Sequence, residues 1–208
     1  VSEFIFNSKG QCIAIKSVQG DVLMLTNPFK NTPDSIETLF KTAEEALAAS
    51  IHSMITNGIK ILDTIPLRTW ISFPPQIVTT IIQLKFSRDL RSILEDSVVG
   101  NVDSLNAMKD AYINLIKHIS IALNINHSVT LLNAVTTLVR LRDICEDILQ
   151  NPSDVHSKLQ KIILYTLSDN SDDVIVKYGN DSIHYGYSFH GSEPMVLPTF
   201  SDERVYGS

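Results

Sequence analysis

The sequence predicts an α+β fold, mainly helical, with a central bundle of five to seven helices flanked by an N-terminal β-meander and a C-terminal β-hairpin. Three observations predict it. Apolar residues recur at i, i+3, i+4 and i+7 through residues 33–167, and they alternate with polar ones over 3–26 and again over 174–190. Clusters of Gly, Asn, Asp and Pro fall at the boundaries between these periods. At 208 residues, 44% hydrophobic and 19% charged, the chain can bury one sizeable core and is not a disordered polymer. No internal repeat, low-complexity tract or long linker divides it, so residues 1–208 are expected to form one globular domain.

The meander begins with Phe4-Ile5-Phe6, turns at Asn7-Ser8-Lys9-Gly10, and continues through Cys12-Ile13-Ala14-Ile15. A second turn at Gln19-Gly20-Asp21 leads to Val22-Leu23-Met24-Leu25, and Asn27-Pro28 is expected to end it. Thr32, Pro33, Asp34 and Glu37 then form a helix start, with a capping hydroxyl, a first-position proline and acids placed where the helix dipole favours them. Ile36, Leu39, Phe40, Ala43, Leu47, Ile51, Met54 and Ile55 form that helix's apolar stripe, and Asn57-Gly58 marks a bend or an end.

After the connector holding Trp70, the only tryptophan, Pro74-Pro75 opens a second helix. Its apolar residues Ile77, Val78, Ile81, Ile82 and Leu84 nearly surround it, which places it at the centre of the core. Ser87-Arg88-Asp89 is expected to break it, with a short helix over Leu90, Ile93 and Leu94 following. A long helix capped by Asp103 or Ser104 carries Leu105, Met108, Tyr112, Leu115, Ile116, Ile119 and Leu123. Ser128 caps the next, with Leu131, Leu132, Val135, Leu138, Leu141, Cys145 and Ile148 inward. Asn151-Pro152 repeats the cap-then-proline pattern, and Val155, Leu159, Ile162, Ile163 and Leu167 suggest a last helix. Beyond the polar loop 168–173, Val174 to Tyr178 and Ile183 to Phe189 form the expected hairpin about Gly179-Asn180-Asp181, and 191–208 an extended tail.

Charge and motifs remove several function classes. A net charge of −6 with pI near 5.4, and basic residues dispersed among acids, argue against a nucleic-acid surface. The greasiest stretch, Trp70 to Phe86, is interrupted by Pro74, Pro75, Gln76, Thr79, Thr80, Gln83 and Lys85, short of the roughly 18–20 apolar residues a membrane span needs. Phosphate-cradling glycine loops, G-x-S-x-G and H-E-x-x-H are all missing, and no cofactor is expected. The acidic run Asp169-Asn170-Ser171-Asp172-Asp173 fails as a calcium loop. Val174 stands where that loop needs glycine, and Asn180 stands where it needs a bidentate glutamate.

The sequence singles out a few residues. Asn126-His127-Ser128 and Asn180-Asp181-Ser182 are glycosylation triplets in expected turns. With a chain beginning at Val1 rather than Met, they point to a secreted protein or to a piece of a longer polypeptide. Cys12 and Cys145 are either two buried thiols, a disulfide tying the first hairpin to a late helix, or one end of an intermolecular bond. His184, Tyr185, Tyr187 and His190 form the candidate binding surface. On a strand, His184, Gly186, Ser188 and His190 share one face and Tyr185, Tyr187 and Phe189 the other, so the aromatics can pack inward while the imidazoles face out. His52, His118, His127 and His156 look isolated.

The leading functional expectation is a non-enzymatic, extracellular binding or assembly protein whose terminal strand edges take a protein partner or a second copy. A carrier enclosing a hydrophobic ligand among its helices comes second. An enzyme with an unfamiliar site near His184 and His190 comes third, and it requires those imidazoles to meet a carboxylate or nucleophile in a cleft.

Overall fold

A computed structural model describes residues 3–30, 35–61, 70, 72–95, 102–125, 128–168 and 173–191. The expected meander is present as strands β1 (Glu3–Phe6), β2 (Gln11–Lys16) and β3 (Val22–Lys30), an antiparallel sheet in the order β1-β2-β3. Asn7 closes its first turn by accepting the backbone N–H groups of Lys9 and Gln11 on Oδ1, at 2.9 and 3.0 Å. Strand β3 does not stop at Asn27-Pro28. Residues 25–28 bulge out opposite Ile13, between the pairs Ala14–Met24 and Cys12–Phe29, so Pro28 sits where no ladder bond is required of it.

Helix α1 (Ile36–Ile61) lies against β3. The expected cap at Thr32 to Asp34 lies outside the described residues. Ser35 does the capping that is described: its Oγ accepts the Thr38 amide at 3.0 Å. The helix runs through Asn57-Gly58 without a break. Its buried stripe starts only at Ala43 and continues through Leu47, Ile51 and Ile55. Ile36 and Phe40 stay exposed, Phe40 resting against the Phe4 ring with centroids 6.1 Å apart. Ser50, fully buried on α1, accepts the Thr26 amide at 2.9 Å and donates to Ala46 O at 2.6 Å, which satisfies a backbone group freed by the bulge.

Helix α2 (Pro75–Glu95) is continuous, which corrects the expected break at Ser87-Arg88-Asp89. Ser87 is buried within it, and its Oγ accepts the Tyr165 amide at 3.2 Å. The polar triplet therefore marks a contact between elements and not a boundary. Helices α3 (Val102–Ile125) and α4 (Val129–Gln150) pack on each other, and Lys109 Nζ pairs with Glu146 Oε2 across them at 2.8 Å. Ser128 stands at the α4 N-cap, although its side chain makes no capping bond. A 3-10 turn (Pro152–Asp154) leads into the one-turn helix α5 (Val155–Leu159). Five α-helices are thus found among the described residues.

The expected last helix ends at Leu159, and Ile163–Leu167 is instead strand β4. It pairs antiparallel with β5 (Val174–Tyr178), which pairs with β6 (Asp181–His184), so the C-terminal element is a three-stranded sheet and not a hairpin. The second hairpin strand also ends earlier than expected, at His184 rather than Phe189.

Two apolar clusters meet on α2. One joins its Val78, Ile82, Phe86 and Leu90 to Leu105, Met108, Ile119, Leu131, Leu138 and Cys145 of α3 and α4. The other joins its Ile77, Ile81 and Leu84 to Cys12, Ile15 and Leu23 of the first sheet, Leu47, Ile51 and Ile55 of α1, and Val174 of the second sheet. The central placement that its all-round hydrophobicity predicted is the one observed, because each face of the helix has its own core. Cys12 and Cys145 are free thiols, one in each cluster, so the disulfide weighed between them does not form. Burial pushes the Cys145 thiol up to about 12. None of the described helices is long and apolar enough to cross a membrane.

Candidate functional site

The residues singled out at the C-terminal strands come together on a strap that leaves β6 at His184 and crosses the start of α2. Its last backbone–backbone bond to the sheet is Tyr185 N–H to Val174 O, 3.0 Å. Beyond it, Gly186 and Tyr187 both adopt left-handed φ, 75° and 52°, and Tyr187 is the one non-glycine residue described with positive φ. This turn takes the chain out of the sheet register and ends the strand.

The expected division of faces persists in the strap. Tyr185, Tyr187 and Phe189 pack against the cluster shared by the first sheet, α1 and α2, while His184 and His190 face solvent. The Tyr185 ring lies edge-on to Tyr187 and Tyr165, at 5.3 and 6.1 Å. His52, read from the sequence as isolated, is edge-on to Tyr187 at 5.0 Å.

Polar groups of Asp173, Val174, Gln76 and Thr80 fix the strap. Tyr187 Oη donates to Asp173 Oδ1 at 2.6 Å and accepts the Val174 amide at 2.8 Å. His184 Nδ1 lies 2.6 Å from the other carboxylate oxygen of Asp173. The Tyr187 hydroxyl is the largest influence holding the Asp173 carboxyl below the usual range, with His184 adding to it, and burial together with the carboxylate pushes the Tyr187 phenol up. Gln76, at the start of α2, donates from Nε2 to Tyr185 Oη (3.0 Å) and to Ser188 O (2.7 Å), and its Oε1 accepts the His190 amide at 3.1 Å. The Tyr185 hydroxyl also meets Thr80 Oγ1 at 3.0 Å. At its far end Gly191 (φ 76°) is seated against the β2–β3 turn, where a Cβ would come within 2.5 Å of Gln19 Oε1 and 3.0 Å of Ser17 Cβ.

His184 does meet a carboxylate, but on the surface: its side chain is 78% exposed and that of Asp173 33%. The arrangement is a structural brace more than a place where a substrate could be shielded from water. His190 contributes its backbone amide to the brace. Among the described residues no three His, Cys, Asp or Glu side chains converge as metal ligands. Asn180 is exposed in the turn between β5 and β6, and Asn126 lies outside the described residues. Sequence reading missed Gln76, Thr80, Asp173 and His52. Gln76, Thr80 and His52 lie far along the chain from their partners, as Gln76 and Tyr185 do at 109 positions, while Asp173 is one acid of a polar run whose partners Tyr187 and His184 stand 14 and 11 positions on.

No protein-family profile matches the chain. The chain is 22% identical over 174 residues to dynein axonemal heavy chain 3 of Mus musculus. That alignment takes in 82% of this chain and spans 4% of the length of the mouse protein.

Proposed function

We propose that this chain is a non-catalytic structural element that works by assembly, as one segment of a longer heavy chain of the dynein kind. The likeness carries the reading: it extends over 82% of the chain yet corresponds to 4% of the relative, as expected of one segment of a much longer chain. The fold is consistent with such a role. Both sheets are mounted on the same central helix and are tied to each other by the strap, so a chain entering at β1 and leaving at Gly191 would be held in a fixed relation. Cys12 and Cys145, buried as free thiols, suit a reducing compartment better than a secretory one, which favours this reading over an extracellular protein.

The test is the size of the native polypeptide. An antibody raised against these residues, followed by denaturing electrophoresis and peptide mass spectrometry of the captured protein, is expected to find a chain far heavier than 23.2 kDa with peptides outside this sequence. A native product of 23.2 kDa overturns the proposal.

A further inference from the structure

We propose that Tyr185–Gly191 is a releasable latch, held shut by Gln76, that opens as a unit while the two cores stay folded. The segment differs from its surroundings in how it is held. Strands β5 and β6 are fixed by a backbone ladder and α2 by its helical bonds, whereas the strap beyond Tyr185 N is fixed by side chains. A single residue supplies three of those bonds, at Tyr185, Ser188 and His190, so a rotamer change in Gln76 removes them together and leaves the strap on the Tyr187 hydroxyl, the Thr80 contact and the packing of its rings.

The strap's conformation also favours release. Three of its residues, Gly186, Tyr187 and Gly191, hold left-handed φ, and for Tyr187 the Cβ makes this the less stable backbone region. Its aromatic rings are only partly buried, and its alternate residues Gly186, Ser188 and His190 are exposed. Half-buried rings, exposed alternate residues and fixing by side chains in place of a backbone ladder place the segment towards the low end of local stability. Opening would detach the strap from the β2–β3 turn of the first sheet and uncover His52 on α1, against which the Tyr187 ring rests. This inference stands independently of the relationship to a heavy chain.

Hydrogen–deuterium exchange of the full chain, read by mass spectrometry, tests it with Gln76→Ala. Exchange at the Tyr185 amide, which is bonded to Val174 O and not to Gln76, is expected to rise about ten-fold or more as the open state gains population, while peptides from 131–148 in α4 exchange as in the parent protein. The latch is refuted if the Tyr185 amide remains as protected as before, or if α4 loses protection in step with it. Should Gln76→Ala fail to fold, Gly191→Ala decides, because it loosens the far end of the strap without touching Gln76, through its left-handed φ and its close seat against Ser17 and Gln19. The same selective rise at Tyr185 is expected there, and its absence rejects the proposal.

Discussion

The Tyr187 hydroxyl stands 2.6 Å from Asp173 Oδ1 and simultaneously receives the Val174 amide, so one phenol links the strap to the first residue of β5 and to the carboxylate before it. Because the folded state holds Asp173 below its ordinary value near 3.9, the interaction contributes stability that is present above about pH 4 and is lost as the pH falls through the folded pKa. Urea unfolding across pH 2–7 should therefore show an acid-side loss of stability that shrinks in Tyr187→Phe, where the largest influence on that carboxyl is gone. In the same variant the Asp173 carboxyl resonance should titrate at higher pH. Identical pH profiles for the two proteins would show that the carboxylate does not depend on the phenol.

Tyr112 presents the opposite case. Its hydroxyl is buried between α2 and α4 with no hydrogen-bond partner among the described residues, and burial is the main reason its phenol is pushed up. An unpaired buried hydroxyl costs about 1–3 kcal/mol of desolvation, so Tyr112→Phe should leave the protein as stable or raise its stability by up to about 1 kcal/mol. Denaturation midpoints measure this directly, and a loss of more than about 1 kcal/mol would mean the hydroxyl has a partner after all.

Gly58 lies within α1, where alanine is ordinarily worth about 1 kcal/mol more than glycine. Here an added Cβ would fall 2.2 Å from Ile81 Cδ1 and 3.3 Å from its Cγ1, where α1 faces α2. The clash outweighs the propensity, and Gly58→Ala should destabilise by about 1–3 kcal/mol. Ile81→Val removes the offending Cδ1 at a cost of about 0.5–1.5 kcal/mol. A double-mutant cycle should show the pair less destabilised than the sum of the two single changes by about 1 kcal/mol. Simple additivity would place the Gly58 constraint elsewhere.

The long elements were legible because their residues carry their own period. The meander alternates, α3 and α4 repeat at helical spacing, and α2 is apolar all round, which by itself locates it between two cores. Residues 163–167 were not legible in the same way. Ile162, Ile163 and Leu167 continue the helical spacing of Val155 and Leu159, and a short apolar run suits a buried helix or a strand equally. Pairing with β5 and the Ser87 hydroxyl on the Tyr165 amide decided for the strand. Ser87 misled for the same reason: its local preference is to interrupt a helix, and only its distant partner explains why it does not.

By itself, then, the sequence determined the α+β class, the order of sheet, helices and sheet, the faces of Tyr185, Tyr187 and Phe189, and the central position of α2. These follow from periodicity, which is a local property. The tertiary structure alone decided that Gln76, Asp173 and His52 would gather around one strap, that the last helix would yield to β4, and that Cys12 and Cys145 would settle in different cores. Those outcomes depend on contacts between residues far apart in the chain, whose energy exists only once the cores have brought them together.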